Sequence, residues 1–285
     1  MEIRPLHDRA TGTITYIIAD PATRECAVID SVLDYDPAAA RTATRSAERV
    51  CALITERRLT VRWLLETHVH ADHLSAAAWL KARVGGAIAI GDQVSQVQRV
   101  FGDVFDLGEG FATDGRQFDH RFADGENFQI GGLTARAIHT PGHTPACMSY
   151  LIGDAVFVGD TLFMPHAGTA RCDFPGGDAA QLFRSIRRIL DLPPATRVFT
   201  CHDYGHEQGR DPAWQSSVAE QRALNIHVHD GIDEAAFVAM RTARDVTLGM
   251  PTLILPSVQV NIRAGDLPEP DALGRRFLKL PLNLF

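Results

Sequence analysis

The alternation of apolar and polar residues predicts strands at the start of the chain. Residues 12–19 are rich in β-branched side chains, and residues 26–30 form a second short apolar run. Asp20 and Pro21 lie between the two runs and favour a turn. This pattern predicts an antiparallel hairpin that enters a sheet.

Helical patterns and apolar runs then follow one another. Pro37, at a tolerated first-turn position, predicts a helix over residues 36–58. The apolar run 61–65 has the length and bulk of a buried strand. Strong helix formers from residue 74 predict a helix that ends near residue 83, just before two glycines. A short strand at 87–90 and a helix at 94–104 come next.

The second half of the chain is richer in strands. Gly and Pro separate apolar runs at 128–130, 133–139, 148–152, 155–158 and 197–201. Helical spacing appears at 179–190, around 214–224 and at 232–246. Two mixed sheets with helices outside them suit this order. We therefore expect one domain over residues 1–285, a four-layer αββα sandwich, with a C-terminal tail (about 250–285) packed on it.

Composition excludes several kinds of protein. The net charge is -7 and no long basic run is present, which argues against a nucleic-acid surface. No apolar segment is long enough to span a bilayer, and the first residues lack the pattern of a targeting signal. The five cysteines form no Cys-x-x-Cys pair, so free thiols in a reducing compartment are the simpler interpretation. We expect a cytoplasmic protein without nucleic-acid or membrane partners.

Ligand-type side chains are concentrated on one predicted strand-to-helix turn. His68, His70, Asp72 and His73 occupy four of six consecutive positions. A single histidine is usually surface polarity or a hydrogen-bonded core residue, but four such residues are harder to explain in that way. Imidazole and carboxylate suit zinc, iron or manganese, so the turn predicts a metal site.

The other ligands of such a site must come from distant segments. Three candidates each follow an apolar strand: His143 after a Pro-Gly turn, Asp160 and His202. The alternatives are a solvated histidine at a hairpin and an aspartate that caps a helix. His139, His166 and His206 lie nearby, but we set them aside because their contexts are less strand-terminal.

Four motifs in this order resemble the metallo-β-lactamase superfamily. They are Thr-His-x-His-x-Asp-His (67–73), Pro-Gly-His-Thr (141–144), Gly-Asp-Thr-Leu-Phe (159–163) and His-Asp-Tyr (202–204). The resemblance implies the αββα fold with a metal at the sheet edge. It also implies that His68, His70 and His143 form one metal position and that Asp72, His73 and His202 form a second, with Asp160 between them.

The superfamily leaves the reaction open. Its glyoxalase II branch hydrolyses glutathione thioesters with two metal ions, where bridging water becomes a hydroxide nucleophile. Its persulfide dioxygenase branch uses one Fe(II) per chain, for which His68, His143 and Asp160 would be the ligands and the catalytic residues. In that case His70, Asp72, His73 and His202 would orient ligands and waters. All seven residues are present, so counting ligands cannot decide.

Three features resemble the persulfide dioxygenases, in the β-lactamase-hydrolase-like branch. They are the segment 168–174, with extra residues before it and Cys172 in place of Thr, the His-Asp-Tyr motif, and the closing Pro-x-Asn-x-Arg-x-Gly pattern near residues 256–265. The helical glutathione-binding extension that ends glyoxalase II is not evident. The resemblance implies that Arg171 and Tyr204 hold the glutathione part. Arg171 could equally be a surface salt-bridge residue and Tyr204 a core residue. Cys172 is more simply a packing thiol.

The resemblance therefore implies sulfide detoxification. Glutathione persulfide, O2 and water would give sulfite and glutathione at Fe(II), and a homodimer would fit the family. The alternative is a binuclear zinc or iron thioester hydrolase. A third hypothesis is a sulfide-responsive binding protein that has lost turnover, against which the complete ligand set argues.

Overall fold

A computed structural model describes residues 1–205 and 209–284, and its elements are numbered in chain order. The strands are β1 (Glu2–His7), β2 (Ile14–Ala19), β3 (Glu25–Ile29), β4 (Val32–Asp36), β5 (Arg41–Ala43), β6 (Thr60–Leu65), β7 (Leu74–Ser75), β8 (Ala87–Gly91), β9 (His120–Phe122), β10 (Asn127–Ile130), β11 (Leu133–His139), β12 (Met148–Ile152), β13 (Ala155–Phe157), β14 (Arg197–Phe199) and β15 (Gln215–Ser217). The helices are α1 (Arg45–Arg57), α2 (Ala77–Val84), α3 (Val94–Val104), α4 (Ala179–Leu190), α5 (Val218–Leu224), α6 (Glu234–Asp245) and α7 (Ile254–Asn261).

The strands form two large mixed sheets. The first has the order β1-β2-β3-β6-β8-β9, in which β1, β2 and β3 are antiparallel and the pairs from β3 to β9 are parallel. The second runs from β10 to β15 in sequence order, with one parallel pair between β13 and β14. Strands β4, β5 and β7 form a small sheet beside the first.

Three apolar clusters divide the molecule into four layers. Strand β2 is buried along its whole length, because Ile14, Tyr16 and Ile18 face the second sheet while Ile17 and Ala19 face the helices. The side chains between the two sheets form the central cluster. The order of layers is thus helix, sheet, sheet, helix, and the predicted αββα sandwich is confirmed.

Each outer layer is attached through the apolar face of its helices. Helices α1, α2, α3 and α7 pack on the first sheet, and α4 and α6 pack on the second. Helix α4 shows why: Leu182, Ile186 and Ile189 recur at helical spacing and are fully buried, while Asp178 caps its first turn by accepting from Gln181 N.

Several predicted boundaries were wrong. The helix predicted over 36–58 begins only at Arg45, because Asp36 Oδ1 accepts from the backbone of Ala38 and Ala39 and makes a turn between β4 and β5. The helix predicted from residue 74 begins at Ala77, since residues 74 and 75 pair with β4. Likewise, residues 215–217 are a strand, and the helix around 214–224 begins at Val218.

The chain after residue 250 contains α7, whose Ile254 and Val258 join the apolar cluster under the first sheet. None of the described helices combines the length and the hydrophobicity needed to cross a membrane.

Candidate metal centre

The predicted ligand residues meet where strands of both sheets end. His68 lies in the loop of residues 66–73 between β6 and β7, here called the ligand loop. Asp160 follows β13, His202 follows β14, and His143 lies between β11 and β12. Gly142 has φ +138°, and a Cβ there would lie 2.3 Å from the backbone of Leu182, so the turn before His143 needs glycine.

Two histidines and one carboxylate form a first cluster. The Nε2 atoms of His68 and His143 lie 3.9 and 3.7 Å from Asp160 Oδ2, and the three ligand atoms are within 4.8 Å of one another. Two ligand atoms that are each about 2.1 Å from one ion can be at most about 4.2 Å apart. The distances to Asp160 therefore suit a shared ion.

A second cluster lies directly beside the first. His70, Asp72, His73 and His202 also present ligand atoms within 4.8 Å of one another. His202 Nε2 is 3.1 Å from Asp72 Oδ2 and 3.4 Å from Asp160 Oδ1. Asp160 thus points one oxygen at each cluster, and the ring of His70 lies 4.0 Å from that of His68. The structure brings all seven predicted residues together, but it groups His70 with Asp72, His73 and His202 and not, as the resemblance implied, with His68 and His143.

Buried atoms without hydrogen-bond partners test whether these residues fit a metal. Buried donors and acceptors are normally satisfied. Among the described residues, five unsatisfied side-chain atoms belong to the two clusters: Nε2 of His68, His73 and His202, Nδ1 of His70, and Oδ1 of Asp160. Converging unsatisfied imidazole and carboxylate atoms fit zinc, iron or manganese.

The other ring nitrogen of each candidate histidine lies within hydrogen-bond distance of a partner. His143 Nδ1–H donates to the carbonyl oxygen of Arg171 at 2.7 Å, and Asp30 Oδ1 accepts from His70 Nε2 at 2.9 Å. The remaining partners are hydroxyls, with Thr67 Oγ1 beside His68 Nδ1 and Thr13 Oγ1 beside Nδ1 of both His73 and His202. Such bonds fix ring orientation and tautomer, as around bound metals.

Burial sets the protonation of the site. It lowers the pKa of His68 and of His143, and it lowers the pKa of His70 to about 4 with help from His73. These imidazoles are therefore neutral, as ligands must be. Burial raises the pKa of Asp160 to about 7, so its charged form is costly without a cation.

Three residues that we did not predict as part of the site hold these ligands. Asp30 accepts from Thr67 N and Oγ1 as well as from His70. Thr13 bridges two histidines, and Asn261 bonds to the backbone of the ligand loop. Asp30 could have been found, because it follows an apolar strand just as Asp160 does. The local sequence around Thr13 carries no such signal.

A cavity of about 1240 Å³ opens onto the site. His143, Asp160 and His202 lie in its wall, and Met164 and Leu248 are among its apolar lining residues. Concave sites that combine apolar walls with a few polar groups are typical of small-molecule binding.

The two predicted substrate-binding residues both line this cavity, but their polar groups differ in how strongly they are already bonded within the protein. Tyr204 is 43% exposed, its ring stacks on His202 with centroids 5.6 Å apart, and its hydroxyl makes one long hydrogen bond of 3.5 Å to Asp72 Oδ2. The Arg171 guanidinium is paired with Asp173 at 2.5 Å and also donates to Gly249 O. Its charge is therefore already shared within the protein.

The other residues near the motifs that the structure describes belong to neither cluster. Cys172 is buried and its backbone N–H donates to Asp245, while burial raises the pKa of its thiol. His139 bonds to Pro145 O, and His166 lines the cavity. His206 lies outside the described residues.

Comparison with known proteins finds relatives that share about half or more of their residues with this chain. A probable metallo-hydrolase of Burkholderia pseudomallei is 57% identical over 99% of both chains. Glyoxylase B2 of Dictyostelium discoideum is 49% identical over 99% of this chain and 97% of its own. A beta-lactamase hydrolase-like protein of Xylella fastidiosa is 51% identical over 97% of this chain, which spans only 63% of that longer relative.

More distant similarity connects the chain to ETHE1 proteins. Bovine mitochondrial persulfide dioxygenase ETHE1 is 28% identical over 94% of this chain and 90% of its own. The crystal structure of ETHE1 from Myxococcus xanthus matches with a TM-score of 0.74 and 30% identity, over 93% of this chain and 100% of that one. The model of the metallo-beta-lactamase superfamily matches residues 10–202, which contain all seven candidate ligands. The chain therefore belongs to the metallo-β-lactamase superfamily.

Proposed function

We propose that the protein is a persulfide dioxygenase that oxidises glutathione persulfide at one Fe(II) ion held by His68, His143 and Asp160. In the balanced reaction, glutathione persulfide, O2 and water give glutathione, sulfite and two protons. The S–S bond breaks, the outer sulfur is oxidised, and O2 is reduced.

The observation that carries this proposal is the full-length correspondence with ETHE1. The match includes the whole Myxococcus xanthus ETHE1 chain and 93% of this chain. It therefore continues past residue 202, where the match to the family model ends. That part contains α7, which bonds directly to the ligand loop. Likeness in both the ligand-bearing core and the C-terminal segment supports the proposal. The probable metallo-hydrolase and glyoxylase B2 are matched over as much of this chain, so the choice between the two reactions rests on the test described below.

The chain's own residues supply binding and orientation in this proposal. A bound Fe(II) supplies a redox-active ion with coordination positions that three protein ligands leave open. His143 is held in the required tautomer by the Arg171 carbonyl. Tyr204, exposed on the cavity wall, offers its hydroxyl to the peptide part of the substrate. For Arg171 we propose a weaker contact, because Asp173 already neutralises it.

One observation favours a second candidate function. The second cluster is complete, and Asp160 Oδ1 points toward it at 3.4 Å from His202 Nε2. Two ions there would generate a hydroxide for hydrolysis of a glutathione thioester. The glyoxylase B2 name of the Dictyostelium relative agrees with this alternative.

The test compares the two reactions on one preparation. Fe(II)-loaded protein is given glutathione persulfide in an oxygen electrode and, separately, S-lactoylglutathione in a hydrolysis assay. We expect oxygen uptake with sulfite release and little thioester hydrolysis. Brisk hydrolysis without oxygen uptake would reverse the assignment.

Two aspartate variants serve as a matched pair in this test. Asp160→Ala should abolish oxygen uptake because it removes a ligand from the first cluster. Asp154→Ala removes an exposed carboxylate that pairs with Arg197 and should leave the rate unchanged. If both variants keep full activity, the site does not perform this reaction.

A further inference from the structure

The side chain of Asn261, at the end of α7, bonds to the ligand loop and to the strand that follows it. Its Nδ2 donates to the carbonyl oxygens of His70 and His73, each at 2.8 Å. Its Oδ1 accepts from the backbone N–H of Ser75 at 2.7 Å. The residue is only 4% exposed, so water cannot readily replace these bonds.

Neighbouring residues bring α7 close to the loop. Gly265 has φ +86°, and a Cβ there would lie 3.0 Å from Ser75 O, so both the backbone conformation and the close approach favour glycine. The Arg263 guanidinium lies 4.7 Å from the centre of the Phe111 ring, and its Nη1 donates to Gln259 O. At Gly265 the chain after α7 thus passes close to the segment that follows the ligand loop, while Arg263 packs on Phe111.

We propose that Asn261 is a positioning residue for the candidate metal centre. Two other carbonyl groups of the ligand loop are held near its start, Glu66 O by the Tyr150 hydroxyl and Thr67 O by Met148 N, whereas Asn261 holds those of His70 and His73, which carry two of the unsatisfied ring nitrogens. Because one amide holds both carbonyls, it fixes the spacing between these two residues and hence the direction of their rings. This inference goes beyond the proposed reaction, since either a dioxygenase or a hydrolase needs the ligands in place.

The chain provides a closely matched control on the same helix. Gln259 is 1% exposed and also makes three amide hydrogen bonds, to Leu255 O, Lys279 O and Lys279 N. These bonds hold the C-terminal segment and do not reach the ligand loop. Replacing either amide removes the same kind of interaction, but only Asn261 contacts the backbone of candidate ligands.

The experiment measures cobalt binding and backbone exchange in Asn261→Ala, Asn261→Asp and Gln259→Ala. Outer contacts of metal ligands typically change affinity by about 10- to 100-fold. We expect both Asn261 variants to bind Co(II) at least about tenfold more weakly, with altered visible absorption bands. Gln259→Ala should keep the wild-type Co(II) affinity and absorption bands, even if its melting temperature falls as far as that of the Asn261 variants.

Hydrogen exchange of the metal-free proteins gives a second readout. Peptides from the ligand loop and Ser75 should exchange faster in the Asn261 variants, whereas the peptide around Lys279 should exchange faster in Gln259→Ala. Asn261→Asp keeps the shape and the acceptor for Ser75, so it serves if the alanine variant does not fold. Wild-type cobalt binding in a folded Asn261 variant, or equal weakening in Gln259→Ala, would overturn the proposal. Neither readout needs O2 or persulfide, so the proposed reaction can fail independently.

Discussion

Replacing Asp245 by alanine should damage both the stability of the protein and the first cluster. Asp245 and Arg241 form an ion pair on α6 whose side chains are only 6% and 1% exposed, with a distance of 2.6 Å. The second oxygen of Asp245 accepts from Cys172 N at 2.8 Å. The preceding carbonyl, that of Arg171, accepts from His143 Nδ1. The ion pair thus supports a candidate ligand through one peptide unit.

The expected magnitude follows from burial. Removing one partner of a buried ion pair costs about 3–5 kcal/mol, because the other charge stays buried and unpaired. The orphaned Cys172 N–H would cost about 1–3 kcal/mol, part of which is already counted in that range. We therefore expect the free energy of unfolding to fall by about 4 kcal/mol. The melting temperature should fall by about 10 °C at 2–4 °C per kcal/mol.

The assay separates stability from positioning. Urea unfolding and Co(II) affinity are measured for Asp245→Ala and for the double variant Arg241→Met with Asp245→Leu. Apolar replacement of both partners should restore most of the stability. It leaves Cys172 N–H without its acceptor, so Co(II) should still bind about tenfold more weakly than in the wild type.

A capping residue on the same helix provides the control. Asp233 caps α6 by accepting from Ala236 N, and Asp233→Ala should cost about 1 kcal/mol without changing Co(II) affinity. A loss below about 1 kcal/mol in Asp245→Ala would refute the burial reasoning. Recovery of full Co(II) affinity in the double variant would show that the ion pair does not position His143.

Three further predictions concern the ligands, a buried histidine and the thiols. Asp160→Ala should abolish iron retention after gel filtration, whereas His202→Ala should keep most of it; equal loss by metal analysis would indicate a binuclear site. Burial lowers the pKa of His227 to about 4, so the unfolded state takes up protons first and stability falls as pH drops from about 6.5 to 4. The melting temperature of His227→Gln should fall less over that range, and parallel curves would contradict this. Burial raises the pKa of the Cys147 thiol to about 12 and also raises that of Cys172, so neither should react with iodoacetamide at pH 8 before urea unfolds the protein. Labelling of either thiol in the native protein, seen by mass spectrometry, would contradict the prediction that both thiols are buried and unreactive.

The ligand set could be predicted because its signal is local. His143, Asp160 and His202 each follow an apolar strand, and strand ends of packed sheets meet at shared edges. Among the residues that hold the ligands, Asp30 carries the same signal, because it follows β3, whereas Thr13 and Asn261 do not follow an apolar strand. Asn261 belongs to the closing Asn-x-Arg-x-Gly pattern, but it bonds to the His70 backbone across 191 residues, so the local sequence does not show what it contacts.

The misplaced start of α1 has a different cause. Residues 36–44 contain good helix formers, but Asp36 closes a turn and Arg41 pairs across from it in a short hairpin. Pairing with β7 then places β4 beside the ligand loop. At this position the tertiary contact determines the secondary structure, and helix propensity does not. The layer order, by contrast, could be predicted, because it depends on long apolar runs in which many residues carry the same signal.

The most direct test of the proposed chemistry is activity measured against iron content. Metal-free protein is reconstituted with increasing Fe(II), and O2 consumption and sulfite formation from glutathione persulfide are recorded together. We expect one sulfite per O2 and a rate that rises linearly until one iron is bound per chain. A rate that requires two metal ions per chain, or sulfite formation without O2 consumption, would contradict the mononuclear dioxygenase.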